Sequence, residues 1–338
     1  MNAIEAMRAE IEYQVQDLCG LDLSSSSPSS SPSSSPSSTD SDCCLFVGSG
    51  DSYIAGLAAQ YFSGSRAICC YPIDIIKNPS LVDRRNLFIV SISGNTHANI
   101  LAAKIAKKNG ARKVTALTAR PSSRLAKSCD QTIELRYRDT GITTAGTISF
   151  TASMIKCISL STKLHMPSDI RKLYNRAEKQ AEQVMSQVDL KNSNIASGSN
   201  SSNSGSSSSS YFLLGDGQLY AIARYATLKF NEVFGARALA YPAEEFCHSP
   251  LFSITEADQA IVLGDDSDNN RRLSKRLNEE GFSSFHIEFK NAGIELLLQA
   301  TFFIQFFVLK LAQKYNMTTC HFLMNRKLLK MSSDFIYR

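Results

Sequence analysis

The segment Ser91-Ile92-Ser93-Gly94-Asn95-Thr96 places three hydroxyl side chains and a glycine within six residues. It follows an apolar run and precedes a helical pattern, so we predict a strand-to-helix loop. Helix N-terminal amides and Ser or Thr hydroxyls can donate several hydrogen bonds to one phosphate. Ser52, at the start of the preceding predicted helix, could add a fourth hydroxyl. The cluster predicts a phosphate site, although each Ser or Thr taken singly is also an ordinary helix cap. Its predicted phosphate-binding residues are Ser52, Ser91, Ser93, Asn95 and Thr96.

The sequence of the turn before Ser52 recurs in similar form later in the chain. Residues 45–50, Leu-Phe-Val-Gly-Ser-Gly, resemble residues 212–217, Phe-Leu-Leu-Gly-Asp-Gly, at a constant offset of 167 (217 − 50). Tyr53 and Tyr220 share that offset. An internal duplication explains the match, and the alternative is coincidence between two ordinary βα units. Residues 264–268 carry carboxylates where the second phosphate loop would lie, so only the first copy is predicted to bind phosphate.

Short apolar runs alternate with helical patterns along both copies. This alternation predicts an α/β fold of two subdomains, each a parallel β-sheet flanked by helices in a three-layer, flavodoxin-like arrangement. The predicted strands are 45–47, 87–91, 114–117, 132–135, 212–214, 260–263 and 285–288. The predicted helices are 52–62, 96–108, 122–127, 147–164, 168–188, one ending at 234, 270–280 and a long apolar one ending at 314.

Two tracts of low complexity divide the chain, and neither can bury enough apolar surface to offset the entropy of ordering. The predicted organisation is an N-terminal helix at 1–23, a Ser/Pro-rich linker at 24–42, a phosphate-binding subdomain at 43–165, a bridging helix at 166–192, a Ser-rich loop at 193–210 and a second subdomain with a tail at 211–338.

Composition excludes several classes of partner. The net charge of +5 is spread along the chain without a basic run interleaved with aromatic residues, which argues against nucleic acid. The N-terminus lacks the features of a signal peptide, so we predict a cytoplasmic protein. The apolar stretch 296–312 is only 17 residues long and contains Gln299, Gln305 and Lys310, which indicates a buried helix rather than a membrane span.

No metal or organic cofactor is predicted. The nine cysteines lack ligand spacing, and we expect most of them to be small buried residues. Gly48-x-Gly50 begins like a dinucleotide-binding fingerprint, but Tyr53 stands where the third glycine would be.

Ser52 with Ser91-x-Ser93-Gly94-x-Thr96 resembles the phosphate-binding pattern of the SIS (sugar isomerase) family, in particular of the isomerase half of glucosamine-6-phosphate synthase. Residues 228–232 and 243–251 resemble that family's helix and its Glu-x-x-His-x-Pro-Leu loop. Glu232 and His248 stand 16 residues apart (248 − 232), the spacing of the family. The segment 326–330 resembles the tail whose lysine enters the active site, and it points to Lys330.

The resemblance implies a site with Glu232, His248 and Lys330 as catalytic residues. Glu232 would move a proton between C1 and C2 through an enediolate, and His248 would open the sugar ring. Lys330 would stabilise oxyanion charge or form an imine. The residues expected to contact substrate are Gly50, Thr144, Lys229 and Glu245, the last as a partner that orients His248.

Three departures from the family pattern stand out. Cysteine is absent at position 2 and no glutaminase domain precedes the motifs, so glutamine-dependent amination is not expected. The loop 140–147 matches only in part, with Gly141 in place of an acid and Gly146 in place of serine. Asn325 replaces a proline in the tail.

The favoured function is therefore aldose–ketose isomerisation of a hexose or hexosamine 6-phosphate. The alternative is deamination of an amino-sugar 6-phosphate or deglycation of a fructosamine 6-phosphate, which need the same acid and base. A non-catalytic sugar-phosphate sensor has no need of the Glu232 and His248 pair. The resemblance also implies a homodimer, for which residues 302–308 would supply an apolar interface and in which the His248 loop would reach the neighbouring subunit's site.

Overall fold

The computed structural model describes residues 1–21, 23, 43–186, 188, 209–265 and 268–338. Both predicted low-complexity tracts lie almost entirely outside these residues. Clustering of contacts divides the chain into two compact units that do not follow chain order. We call residues 16–138, 148–166 and 330–338 the first unit, and residues 1–15, 139–147 and 167–329 the second unit.

The first unit is built around a five-stranded parallel sheet with the order β2-β1-β3-β4-β5. This is the flavodoxin-like order. Its strands are β1 (Cys44–Val47), β2 (Ala67–Cys70), β3 (Asn86–Val90), β4 (Lys113–Thr118) and β5 (Gln131–Glu134). Its helices are α2 (Asp51–Ser63), α3 (Pro72–Lys77), α4 (His97–Lys108) and α5 (Ile148–Ser161).

Helices cover both faces of this sheet because alternate strand residues point to opposite sides. Leu45 and Val47 join the core cluster that contains side chains of α3 and α4. Phe46, between them, faces α2, where a Cβ on Gly56 would lie 2.8 Å from the Phe46 Cβ. The three-layer prediction is confirmed for this unit.

The second unit contains a four-stranded parallel sheet with the order β7-β6-β8-β9. Its strands are β6 (Ser210–Leu214), β7 (Arg237–Tyr241), β8 (Gln259–Gly264) and β9 (Ser283–Glu288). Its helices are α6 (Ile170–Met185), α7 (Gln218–Lys229), α8 (Ala243–His248), α9 (Asp268–Glu279), α10 (Gly293–Lys314) and α11 (His321–Met324). The N-terminal helix α1 (Ala3–Asp17) and the tail helix α12 (Arg326–Ile336) each contribute residues to both units.

The two sheets repeat the same turn after their first strand. Gly50 and Gly217 both adopt a positive φ, 57° and 54°, immediately before a helix. Gly48 and Gly215, two positions earlier, both lack room for a Cβ, which would lie within 2.8 Å of the following helix. The similarity between residues 45–50 and 212–217 therefore extends from sequence to backbone conformation.

Four predictions of local structure are corrected. The short strands β2 and β7 were not predicted. Residues 122–127 form turns followed by a 3-10 helix (Ala126–Ser128) rather than an α-helix, and the Leu125 amide donates to the Gly94 carbonyl instead. The helix predicted to end at 234 closes with a π-helical turn (Phe230–Phe234).

The long apolar helix α10 is a core helix of the second unit. By length and composition it could cross a membrane, but 83% of its most apolar window is buried. It packs on α6 and α7, and Phe302 to Val308 have exposed fractions of 3% or less. The predicted dimer interface on these residues is therefore wrong, because their side chains already fill the core; the homodimer itself stays a prediction.

The cysteines are less buried than expected. Of the nine cysteines, three are buried, four are half-buried and two are exposed. The buried thiols are those of Cys44, Cys157 and Cys320.

Candidate functional sites

The predicted phosphate-binding residues meet at the carboxyl edge of the first sheet. β1 and β3 are neighbours, with Val47 paired to Ile89, so the turns that follow them leave the sheet side by side. Gly48 allows the start of α2 to approach, because a Cβ there would lie 2.8 Å from the Ser52 carbonyl carbon. The structure thus brings Ser52 to the same edge as the loop 91–96.

The loop 91–96 is fixed by its own turn and by the turn that follows β4. Gly94 has a φ of +62°, and a Cβ at this position would overlap Ser123 Oγ. The Gly94 amide donates to the Ser91 carbonyl at 3.1 Å, and Thr118 Oγ1 donates to the Ile92 carbonyl at 3.0 Å. Only glycine fits at this position, and its positive φ allows a sharp turn. The turn leaves the hydroxyl side chains of the loop at the sheet edge.

The side chains predicted to bind phosphate differ in exposure. Ser91 is buried, whereas Ser52, Ser93 and Thr96 are half-buried and Asn95 is exposed. The Asn95 amide donates to Ser93 Oγ at 3.3 Å, and Thr96 is the residue before α4. An anion at this edge would meet hydroxyl donors together with the N-terminus of α4.

A buried lysine and a partly exposed glutamate form the central pair of the second unit. The Lys229 side chain is fully buried, and its Nζ lies 2.6 Å from Glu232 Oε2, whose side chain is 36% exposed. Lys229 ends α7 and Glu232 lies in the π-helical turn. That turn ends at Gly235, where φ is +62° and a Cβ would overlap the His321 ring.

Further polar groups surround this pair. The Lys229 Nζ lies 5.1 Å from the centre of the Tyr225 ring, within range of a cation–π interaction. The buried Cys320 Sγ lies 3.8 Å from Thr144 Oγ1. Burial raises the pKa of the Cys320 thiol; the negative charge of Glu232 raises it further, and the positive charge of Lys229 opposes this. The charges of Lys229 and Glu232 thus act on a thiol that contacts Thr144.

His248 and Lys330 are surface residues. His248 ends α8, and its side chain is 70% exposed, with Nε2 3.8 Å from Glu244 Oε1. The carboxylate next to His248 is therefore that of Glu244 rather than the predicted Glu245, because residues four apart share a helix face. Lys330 lies on α12 with a side chain that is 75% exposed and an ion pair of 2.5 Å to Asp334. Among the contacts of the described residues, none joins His248 to Glu232.

Sequence reasoning missed the polar residues behind the pair. Tyr225 and Gln305 are fully buried and hydrogen-bonded to each other, and Gln14 and Glu10 from α1 are buried beside them. One signal was available for Gln305, since an amide within an apolar helix needs buried partners. Within the described ranges, no three His, Cys, Asp or Glu side chains cluster as metal ligands.

Comparison with known proteins supports the resemblance to the SIS family. The SIS domain family matches residues 39–161. The glutamine–fructose-6-phosphate aminotransferase (isomerizing) of Caldanaerobacter subterraneus is 25% identical over 255 residues, which are 70% of this chain and 40% of that protein. The same enzyme from Vibrio cholerae is 26% identical over 234 residues, 64% of this chain and 36% of that protein. The chain thus spans less than half the length of these relatives.

Solved structures share the fold over nearly the whole chain. Glucosamine-6-phosphate deaminase from Thermotoga maritima matches with a TM-score of 0.66 and 19% identity, covering 94% of this chain and 93% of that one. Tagatose-6-phosphate ketose/aldose isomerase from Escherichia coli matches with a TM-score of 0.61 and 16% identity, covering 94% and 89%. At these identities the likeness concerns the fold alone. The match to the SIS domain family itself covers residues 39–161.

Proposed function

We propose that this protein is a phosphosugar isomerase that interconverts an aldose and a ketose form of a hexose or hexosamine 6-phosphate. The observation that carries the proposal is the Lys229–Glu232 pair, a carboxylate partly open to solvent held 2.6 Å from a buried ammonium. A carboxylate fixed in this way can accept a carbon-bound proton and return it to the neighbouring carbon. The nearby ammonium would favour the negative charge of the enediolate.

The remaining roles follow the motifs. The substrate phosphate binds at Ser52, Ser91, Ser93, Asn95 and Thr96, where hydroxyls and a helix N-terminus meet. His248 opens the sugar ring, which suits an imidazole near neutral pH. Lys330 stabilises the carbonyl oxygen, and Gly50, Thr144 and Glu245 contribute to substrate binding. We further propose that the second unit is a duplicated SIS-type subdomain without a phosphate loop, which the repeated Gly50 and Gly217 conformations support.

The same groups could cleave a C–N bond, and the named activities of the relatives include aminotransfer and deamination. The alternatives therefore need one common assay. Proton NMR in heavy water would follow fructose, glucose, mannose and glucosamine 6-phosphates, with and without ammonia, for exchange at C1 or C2. Isomerisation gives exchange without ammonia release, whereas deamination releases ammonia from the amino sugar.

The variant Glu232→Gln tests the assigned base. We expect it to lose exchange by at least about a hundredfold, because general-base catalysis contributes on that order. Glu295→Gln, at an exposed glutamate of α10, is the matched control and should retain exchange. Full exchange in Glu232→Gln would refute the assignment, and absence of exchange in the unmodified protein on every sugar would refute the isomerase proposal.

A further inference from the structure

Tyr225 lies between two parts of the second unit that are far apart in sequence. Its side chain is fully buried on α7, one turn before Lys229 and two turns before Glu232. Residues at these spacings share one face of a helix. The hydroxyl end of Tyr225 contacts the loop 139–147, and the face of its ring contacts the Lys229 ammonium.

The hydroxyl fixes the end of the loop. Tyr225 Oη donates to the Gly146 carbonyl at 2.7 Å. Gln305 Nε2 donates to Tyr225 Oη and to the Thr147 carbonyl, both at 3.2 Å. Gln14 Nε2 in turn donates to Gln305 Oε1 at 2.6 Å. Two consecutive loop carbonyls are therefore held by buried donors, and a buried carbonyl that loses its donor is costly.

The ring has a separate task. Lys229 Nζ lies 5.1 Å from the ring centre and 2.6 Å from Glu232 Oε2. An ammonium taken out of water gains from an aromatic face as well as from a carboxylate. The ring thus limits the positions that the ammonium can occupy, and through the ion pair it limits those of the Glu232 carboxylate.

We propose that Tyr225 is a positioning residue that ties the loop 139–147 to the Lys229–Glu232 pair. The hydroxyl holds the loop that carries Thr144, and the ring holds the ammonium beside the base. The assignment of Glu232 as a base rests on the proposed function, but the two contacts of Tyr225 do not. For the reaction, this means that the Tyr225 side chain sets the positions of both the loop 139–147 and the Glu232 carboxylate.

Two variants separate the tasks. Tyr225→Phe keeps the ring and removes the hydroxyl, whereas Tyr225→Leu removes both. Tyr220→Phe, on the same helix, is the matched control. If Tyr225→Leu does not fold, the proposal is still tested at the hydroxyl by Tyr225→Phe and by Gln305→Met, which removes the donor to Tyr225 Oη and to the Thr147 carbonyl.

Two readouts need no substrate. Hydrogen exchange by mass spectrometry follows the loop peptide, and ¹H–¹⁵N NMR of lysine side chains follows the Lys229 ammonium. We expect at least about tenfold faster exchange of the loop in Tyr225→Phe, Tyr225→Leu and Gln305→Met, with β6 unchanged. The Lys229 signal should persist in Tyr225→Phe and shift or broaden in Tyr225→Leu. Unchanged loop exchange in Tyr225→Phe, or an unchanged Lys229 signal in Tyr225→Leu, would overturn the proposal.

A third readout connects the inference to catalysis. We expect Tyr225→Phe to lower kcat for exchange by roughly tenfold while it stays folded, since small misplacement of a reacting group slows the step. An unchanged kcat in a variant whose loop has loosened would refute the catalytic consequence. If the unmodified protein isomerises no sugar, the proposed function fails, while the exchange and NMR readouts still decide the role of Tyr225.

Discussion

At the scale of single residues, glycines decide the shape of the phosphate loop. Gly94 and Gly64 have the same φ of +62°, yet their surroundings differ. A Cβ at Gly94 would overlap Ser123 Oγ, whereas nothing lies within 4 Å of a Cβ at Gly64. Alanine substitutions at the two positions therefore distinguish the cost of backbone strain from the cost of steric overlap.

We predict that Gly94→Ala destabilises the protein by about 3 kcal/mol, because a strained φ adds to an overlap with a packed side chain. Gly64→Ala should cost less, about 1–2 kcal/mol, from the strain of its backbone (φ 62°, ψ −130°) alone. Urea unfolding of both variants gives the comparison. Equal losses of stability would show that the contact between Gly94 and Ser123 does not constrain the loop.

At the scale of elements, helix α1 holds the loop 139–147 through one carboxylate. Glu10 is buried and accepts hydrogen bonds from Thr147 Oγ1 at 3.0 Å and from Thr140 Oγ1 at 3.1 Å. Burial raises the pKa of the Glu10 carboxyl, and the hydrogen bonds from Thr147 and Thr140 counteract part of the rise. The ionised form of Glu10 is therefore disfavoured in the fold.

This gives a pH dependence with a definite sign. Because the unfolded chain releases the Glu10 proton at a lower pH than the folded chain, Glu10 lowers stability as pH rises from about 4.5 through its raised pKa. Glu10→Gln does not titrate, so its Tm relative to the unmodified protein should rise over this range and then level off. Glu12→Gln, exposed on the same helix, should show no such trend in thermal scans from pH 4 to 8. A flat difference for Glu10→Gln would contradict the prediction.

At the scale of the whole molecule, half-buried thiols contribute to the dependence of stability on alkaline pH. Burial raises the pKa of Cys70 to about 12 and that of Cys129 to about 12, well above the ordinary value of 9.0. Between these values the unfolded chain releases thiol protons that the folded chain retains. Stability must therefore fall as pH rises above about 9.

We predict that Tm declines between pH 8 and 10.5, and that the double variant Cys70→Ala/Cys129→Ala declines less steeply. Cys19→Ala, at an exposed cysteine, is the control and should reproduce the slope of the unmodified protein. Parallel slopes in all three proteins would show that the half-buried thiols do not contribute.

The sequence by itself determined what depends on neighbouring residues. The Gly-x-Gly turns, the hydroxyl loop and the alternation of strands and helices are local patterns, and the structure reproduces their positions. The closeness of Lys229 and Glu232 also followed from a spacing of three residues on a helix.

Only the tertiary structure decided what depends on distant partners. The short strands β2 and β7 exist because β1 and β6 offer free edges for pairing. The π-helical turn follows from packing that periodicity does not encode. Gln305 reaches Thr147 across 158 positions, and Gln14 reaches Gln305 across 291. Such hydrogen bonds form only after the core has closed around polar groups that leave no local signature in the chain.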